Sequence, residues 1–191
     1  MSNPAIILKN SQKYDGIKKS AKDLIKKIID QKNIDGEMKQ DDIKIFYRNI
    51  DQLSDIIVNL KSNKSFSSVN TEKKEEIIKL CETEINTEIQ YIIVSSYICF
   101  MNNKNSKKDF KTIFIDIQKS KFYSEIKNDI KIKKMEDYVK IYEITNKVSK
   151  DKNYSECYKN LLNIEKSIDD YDIRNEIEGC LKICKKGIFN N

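Results

Sequence analysis

Apolar residues recur along this chain at three- and four-residue spacings, the period of a helix with one buried face. Ile17, Ala21, Leu24, Ile25, Ile28 and Ile29 fall on one side of the segment between Gly16 and Gly36, with lysines opposite, and predict a first amphipathic helix. Ile43, Phe46, Tyr47, Ile50, Leu53, Ile57 and Leu60 continue the period and predict a second, longer helix, which the polar stretch 62–70 interrupts. Thr71 is a candidate N-cap, followed by Glu72, Glu75 and Glu76, where carboxylates suit the positive end of a helix dipole. From there Ile78, Cys81, Ile85, Ile89, Ile92, Ser96 and Cys99 form one stripe, and Ile93, Tyr97 and Phe100 widen it. That pattern predicts a long third helix buried on most sides.

Ser106 with Asp109 three residues on resembles a capping box with Asp in place of Glu, ahead of Phe110, Ile113, Phe114 and Ile117, and predicts a short fourth helix. Between Phe122 and Ile132, the positions of Ile126, Ile130 and Ile132 fit a helix turn, although Ile130-Lys131-Ile132-Lys133 also alternates as a strand would. Met135, Tyr138, Val139, Tyr142 and Val148 mark a fifth helix, and Tyr154, Cys157, Tyr158, Leu161, Leu162, Ile164 and Ile168 a sixth. Ile173, Ile177, Cys180, Leu181 and Cys184 mark the last, expected to end at Gly187 with a left-handed glycine cap. No strand pair remains. The expected fold is all-α, a bundle of about seven helices with a long central third helix, in a single domain over residues 1–191.

Composition agrees with long helices, since Pro4 is the one proline and there are four glycines in 191 residues. The net charge of +6 comes from 36 basic and 30 acidic residues whose signs alternate, so an anionic partner is allowed but not demanded. Five cysteines, an odd number with no CxxC pair, read as thiols of a reducing compartment. The first ten residues lack the pattern of a signal peptide, and the apolar run Ile89 to Met101 is shorter than the roughly 20 residues that cross a bilayer. The expectation is a cytoplasmic or nuclear protein with no membrane partner.

The chain has no histidine, which excludes the Ser-His-Asp and Cys-His arrangements. It has neither GxxxxGK[ST] nor GxGxxG, so no glycine-rich loop cradles a nucleotide phosphate. Cys180 and Cys184 share a helix face at i, i+4, but nothing completes a four-ligand site, and core packing is the stronger reading. Glu82, Glu84 and Glu88 with Asp137 and Glu143 could hold Mg²⁺ for phosphodiester cleavage, against the ordinary reading of solvated acids. For nucleic acid the useful feature is Lys39, Lys44, Arg48, Lys61 and Lys64 around the second helix, with Lys73, Lys74 and Lys79 opening the third. The same pattern also describes a plain solvated face.

Several stretches in order carry a family resemblance. Ser20-Ala21-Lys22-Asp23-Leu24-Ile25, the small and aromatic centre Val94-Ser95-Ser96-Tyr97, Met135-Glu136-Asp137-Tyr138-Val139 and Lys152-Asn153-Tyr154-Ser155 are collinear with motifs of the translin family of RNA- and single-stranded-DNA-binding proteins. The last two look like its Val-Glu-Asp-Tyr-Leu and Gly-Asp-Tyr-Ser, and Ile173-Arg174, Glu178-Gly179 and Lys185-Lys186 are similar to its last helix. The resemblance covers most of residues 14–188. It implies a translin-like bundle of about seven helices, assembled as an octameric shell that binds RNA or single-stranded DNA on its inner surface. It also implies a catalytic partner, translin-associated factor X.

The catalytic subunit of that family carries two acids three apart on its third helix and a further acid on the helix with the Asp-Tyr motif. Here those positions fall near Glu88 and Tyr91, and near Ile144, with Glu143 one position away. The chain therefore resembles the non-catalytic member, which implies no cofactor; Glu88, Glu143 and Mg²⁺ belong to the alternative reading as an endoribonuclease. The family's basic, histidine-rich start to the third helix is reduced here to Lys79, so the expected nucleic-acid contacts are Lys39, Lys44, Arg48, Lys61 and Lys64, with Lys79 added. The expected partners are single-stranded RNA or DNA and other subunits, in a homo-oligomer or with a factor X-like chain. A helical protein–protein adaptor is the third reading.

Overall fold

Pro4 opens the first helix, the position where a fixed φ and a missing N–H cost least. From it α1 runs Pro4–Lys32, straight through Gly16, so the helix starts a dozen residues before the glycine expected to mark its beginning. A glycine costs a helix interior about 1 kcal/mol relative to alanine, too little to end one with a packed face. The computed structural model describes residues 4–32, 38–62, 71–106 and 108–189, with side chains described except at 4–11 and 148–151. Gly36 lies outside the described residues, as does the side chain of Val148.

Every regular element among the described residues is an α-helix, as the periodicity predicts. The chain divides into two compact units, residues 1–125 and 126–191. In the first, α1 packs with α2 (Gln40–Ser62), α3 (Thr71–Asn105) and α4 (Lys111–Gln118) around one core. The buried seam of α1 is Tyr14, Ala21 and Ile28, one residue per heptad. Against it α2 buries Ile43, Phe46, Tyr47, Ile50, Leu53 and Leu60. The tyrosine ring of Tyr47 stacks on Phe122 at 5.3 Å between centroids, and its hydroxyl accepts a hydrogen bond of 3.3 Å from Ser96.

On α3 the buried stripe is Ile77, Cys81, Ile85, Glu88, Ile92, Ser96 and Cys99, with Ile93 and Phe100 beside it. It therefore runs through Ile77 and Glu88 where the apolar pattern alone favours Ile78 and Ile89, and those two isoleucines are only half-buried. The helix is also less enclosed than its composition suggests, because Val94 and Ile98 face outward. Ahead of α4 the N-cap position is Phe110, not Ser106, and has no capping side chain; the Asp109 carboxylate just before it accepts 3.1 Å from the Lys111 N–H and 2.6 Å from the Thr112 hydroxyl. The Thr112 bond is the main cause that holds the Asp109 carboxyl below its ordinary range. Phe110 then meets Phe100 edge to face at 5.0 Å. A single turn, α5 (Tyr123–Ile126), closes the first unit and begins the second.

The second unit holds α6 (Ile130–Asp151), α7 (Tyr154–Glu165) and α8 (Tyr171–Phe189). The segment Ile130 to Lys133, whose alternation also fits a strand, is the first turn of α6, started by the Asp129 carboxylate accepting 2.8 Å from the Lys131 N–H. Its alternation reflects an exposed Ile130 beside a fully buried Ile132. Lys152 links α6 to α7 at φ 51°, a left-handed conformation that favours glycine. Asn153 then caps α7, accepting from the Glu156 N–H at 3.2 Å while donating to the Glu156 carboxylate at 2.7 Å. At the start of α8 the Asp170 carboxylate accepts from the N–H groups of Asp172 and Ile173, and the Lys134 ammonium of α6 reaches both Asp170 and Asp172, at 2.9 and 3.1 Å.

Gly187 does not cap α8, which continues through it to Phe189. Its role is a close approach: a Cβ there would lie 2.6 Å from Tyr154 Cε1 and nearer still to Cγ and Cδ1. The start of α7 thus lies on the end of α8, so the two helices run antiparallel. No helix among the described residues is long and apolar enough to cross a membrane.

Candidate nucleic-acid interface

The helices distribute the candidate cations over several places. Lys44 and Arg48, four residues apart on α2, are both exposed. Lys39 precedes that helix, and its backbone N–H donates to the Asp42 carboxylate at 3.0 Å, a cap that leaves the side chain to solvent. Lys61, near the end of α2, pairs with Glu82 of α3 at 2.9 Å. That pair lines a groove of about 390 Å³ of mixed character, with Ile57, Ile85 and Phe122 beside Ser54, Asn86 and Glu125. Lys64 lies outside the described residues.

Lys79 belongs to a different grouping. It lines an open groove of about 360 Å³ between α1 and α3 together with Lys18 and Lys22, and with Leu80 and Thr83. Lys18 pairs with Glu76 at 2.6 Å, and that bond is the main cause lowering the Glu76 carboxyl from its ordinary range. Lys22 and Lys79 are exposed, and among the described residues no ion pair engages either. The two lysines of α1 are absent from the expected contact set. Their signal is in the sequence: they sit four residues apart on α1, flanking its apolar seam, a pattern shared with many helix faces that border a packed stripe.

Glu76 and Glu84 line the same groove, and beside Glu84 lies a buried acid. Glu88 is 3% exposed, and its Oε1 accepts 2.8 Å from the ammonium of Lys32, which also lies 5.0 Å over the Tyr91 ring. Tyr91 in turn sits 5.9 Å from Phe46. Glu84, one turn before Glu88, has a buried Oε1, and neither that oxygen nor Oε2 of Glu88 finds a donor among the described residues. Burial and then the charge of Glu88 push the Glu84 carboxyl up, with Lys32 opposing.

This arrangement does not fit Mg²⁺. The cation position at Glu88 is filled by an ammonium, the site three residues on presents a ring face, and among the described residues no three acids or thiols converge as a metal requires. Glu143 lies in the second unit, exposed on α6. The comparisons add no relative: no family model, no curated protein and no solved structure matches this chain.

Proposed function

We propose that this chain is a translin-like, non-catalytic subunit that binds single-stranded RNA or DNA within an oligomer and supports a catalytic partner. The observation that carries the reading is the groove between α1 and α3, where Lys18, Lys22 and Lys79 gather beside Glu76 and Glu84, Lys18 paired with Glu76 and Lys22 and Lys79 exposed. Lysines spaced along an open groove follow a flexible phosphate backbone without needing base-specific contacts. The collinear motifs add to it, and so does Lys152, which takes the place of the family's glycine and has the φ that glycine favours. The outward Val94 and Ile98 of α3 supply apolar surface for contact between subunits.

The test is fluorescence anisotropy with a labelled single-stranded RNA over a range of salt, beside the molar mass in solution. Binding is expected to weaken with salt at a slope of about −0.7 per phosphate contact, and Lys22→Glu with Lys79→Glu to lower affinity at least about tenfold. Absence of binding at low salt overturns the reading, and a strictly monomeric chain removes its oligomeric part. One feature favours a protein partner instead: Tyr171, Ile183 and Phe189 of α8 are 76, 65 and 85% exposed. A folded oligomer that binds no RNA would make the helical adaptor the better reading.

A further inference from the structure

We propose that Cys157 and Cys184 form a redox-modification site, a thiol pair that hydrogen peroxide converts to a disulfide joining α7 to α8. Their Sγ atoms lie 3.3 Å apart, in contact but unbonded, and each residue is 3% exposed. An S–S bond of about 2.05 Å needs each sulfur to move by roughly 0.6 Å, within the reach of small side-chain rotations. The backbone around the pair is already in register. One turn further toward the helix ends, Tyr154 lies on Gly187, and the Lys185 ammonium sits 5.6 Å over the Tyr158 ring.

Cys180, one turn before Cys184 and half-buried, lies near enough for its charge to act on Cys157, but the sulfur in direct contact with Cys157 at 3.3 Å is that of Cys184. Cys81 and Cys99 lie on α3, separated by about 27 Å of helix, too far to join each other.

The chemistry balances with peroxide as the oxidant. One thiolate attacks the O–O bond, giving a sulfenic acid and hydroxide; the second thiol attacks that sulfur, the S–S bond forms, and the departing hydroxyl leaves as water with the remaining proton. Two thiols and one peroxide thus give one disulfide and two waters. Burial, then the hydrogen bond from Cys184, pushes the Cys157 thiol up to about 12, so it reacts slowly. The enclosed position favours a small uncharged oxidant over a bulky disulfide. The pair is therefore a slow, dose-dependent staple rather than a fast sensor.

The experiment treats the full folded chain with hydrogen peroxide at neutral pH, quenches in acid, alkylates and digests for mass spectrometry. Expected is a loss of about 2 Da per chain, a linked peptide pair carrying Cys157 and Cys184, and reversal by dithiothreitol. Cys180→Ala keeps the cross-link, whereas Cys157→Ala and Cys184→Ala each abolish it. The oxidised wild type should also melt several degrees higher. The proposal is overturned if both thiols remain alkylatable, if either joins Cys180 or another chain, or if they pass to sulfinic acid without linking. Mapping of the wild-type chain decides this even if an alanine variant fails to fold.

Discussion

The ammonium of Lys32, near the end of α1, sits 2.8 Å from Oε1 of Glu88 at the middle of α3 and covers the Tyr91 ring from 5.0 Å. A carboxylate so deeply buried depends on that one cation. Removal of the cation alone leaves an uncompensated buried charge, so Lys32→Ala should cost about 3 kcal/mol in urea unfolding. Lys32→Met combined with Glu88→Leu should recover most of it. Equal losses in the single and double variants would show that the pair is not what holds these helices.

Glu84 gives the chain a pH dependence of definite sign. Its folded carboxyl is raised above the ordinary 4.5, first by burial and then by Glu88. The folded chain thus holds a proton the unfolded chain has lost, and stability falls as pH rises from 4.5 through the folded value. Glu84→Gln should flatten this part of the curve and raise the urea midpoint at neutral pH. Asp109 acts with the opposite sign: its lowered carboxyl stabilises above 3.8, and that contribution is lost as pH falls through the folded value. If subtracting the Glu84→Gln stability curve from that of the wild type leaves no slope above pH 4.5, the assignment to Glu84 is contradicted.

Lys152 holds a left-handed φ of 51° without being glycine. Lys152→Gly should therefore stabilise the chain by about 1 kcal/mol, seen as a higher thermal midpoint, while Lys152→Val should destabilise it. No gain from glycine would mean that the turn is not strained.

The two classes of lysine should separate in binding. Lys61 is engaged by Glu82, so Lys61→Ala should change RNA affinity less than about twofold, whereas Lys22→Ala and Lys79→Ala should each reduce it several-fold and make the salt slope shallower. Anisotropy titrations at two salt concentrations distinguish these outcomes.

Helix class and most of the core were readable from periodicity, because Ile43 to Leu60 on α2 and Ile173 to Cys184 on α8 each bury one stripe. The stripe of α3 was readable at Cys81, Ile85, Ile92, Ser96 and Cys99 but not at Ile77 or at its centre, Glu88, whose burial depends on a lysine 56 residues away. Apolar pattern cannot see such a partner, and it puts an isoleucine there instead. Gly16 misplaces the start of α1 for a related reason: breaker rules are local, and a packed seam of Tyr14, Ala21 and Ile28 outweighs one glycine. The basic groove was half readable, with Lys79 found from its helix and Lys18 and Lys22 hidden among the ordinary lysines of α1.

The absent side chain of Gly187 has an effect beyond local space. Slid by one helical turn, α8 would bring Ile183 under the Tyr154 ring and Cys180 opposite Cys157. Gly187 leaves a notch deep enough for the ring and Ile183 does not, so the ring and notch act as a key against a one-turn slip of the hairpin. A chain with a larger residue at 187 would keep its helices and lose the rule that says which thiols meet.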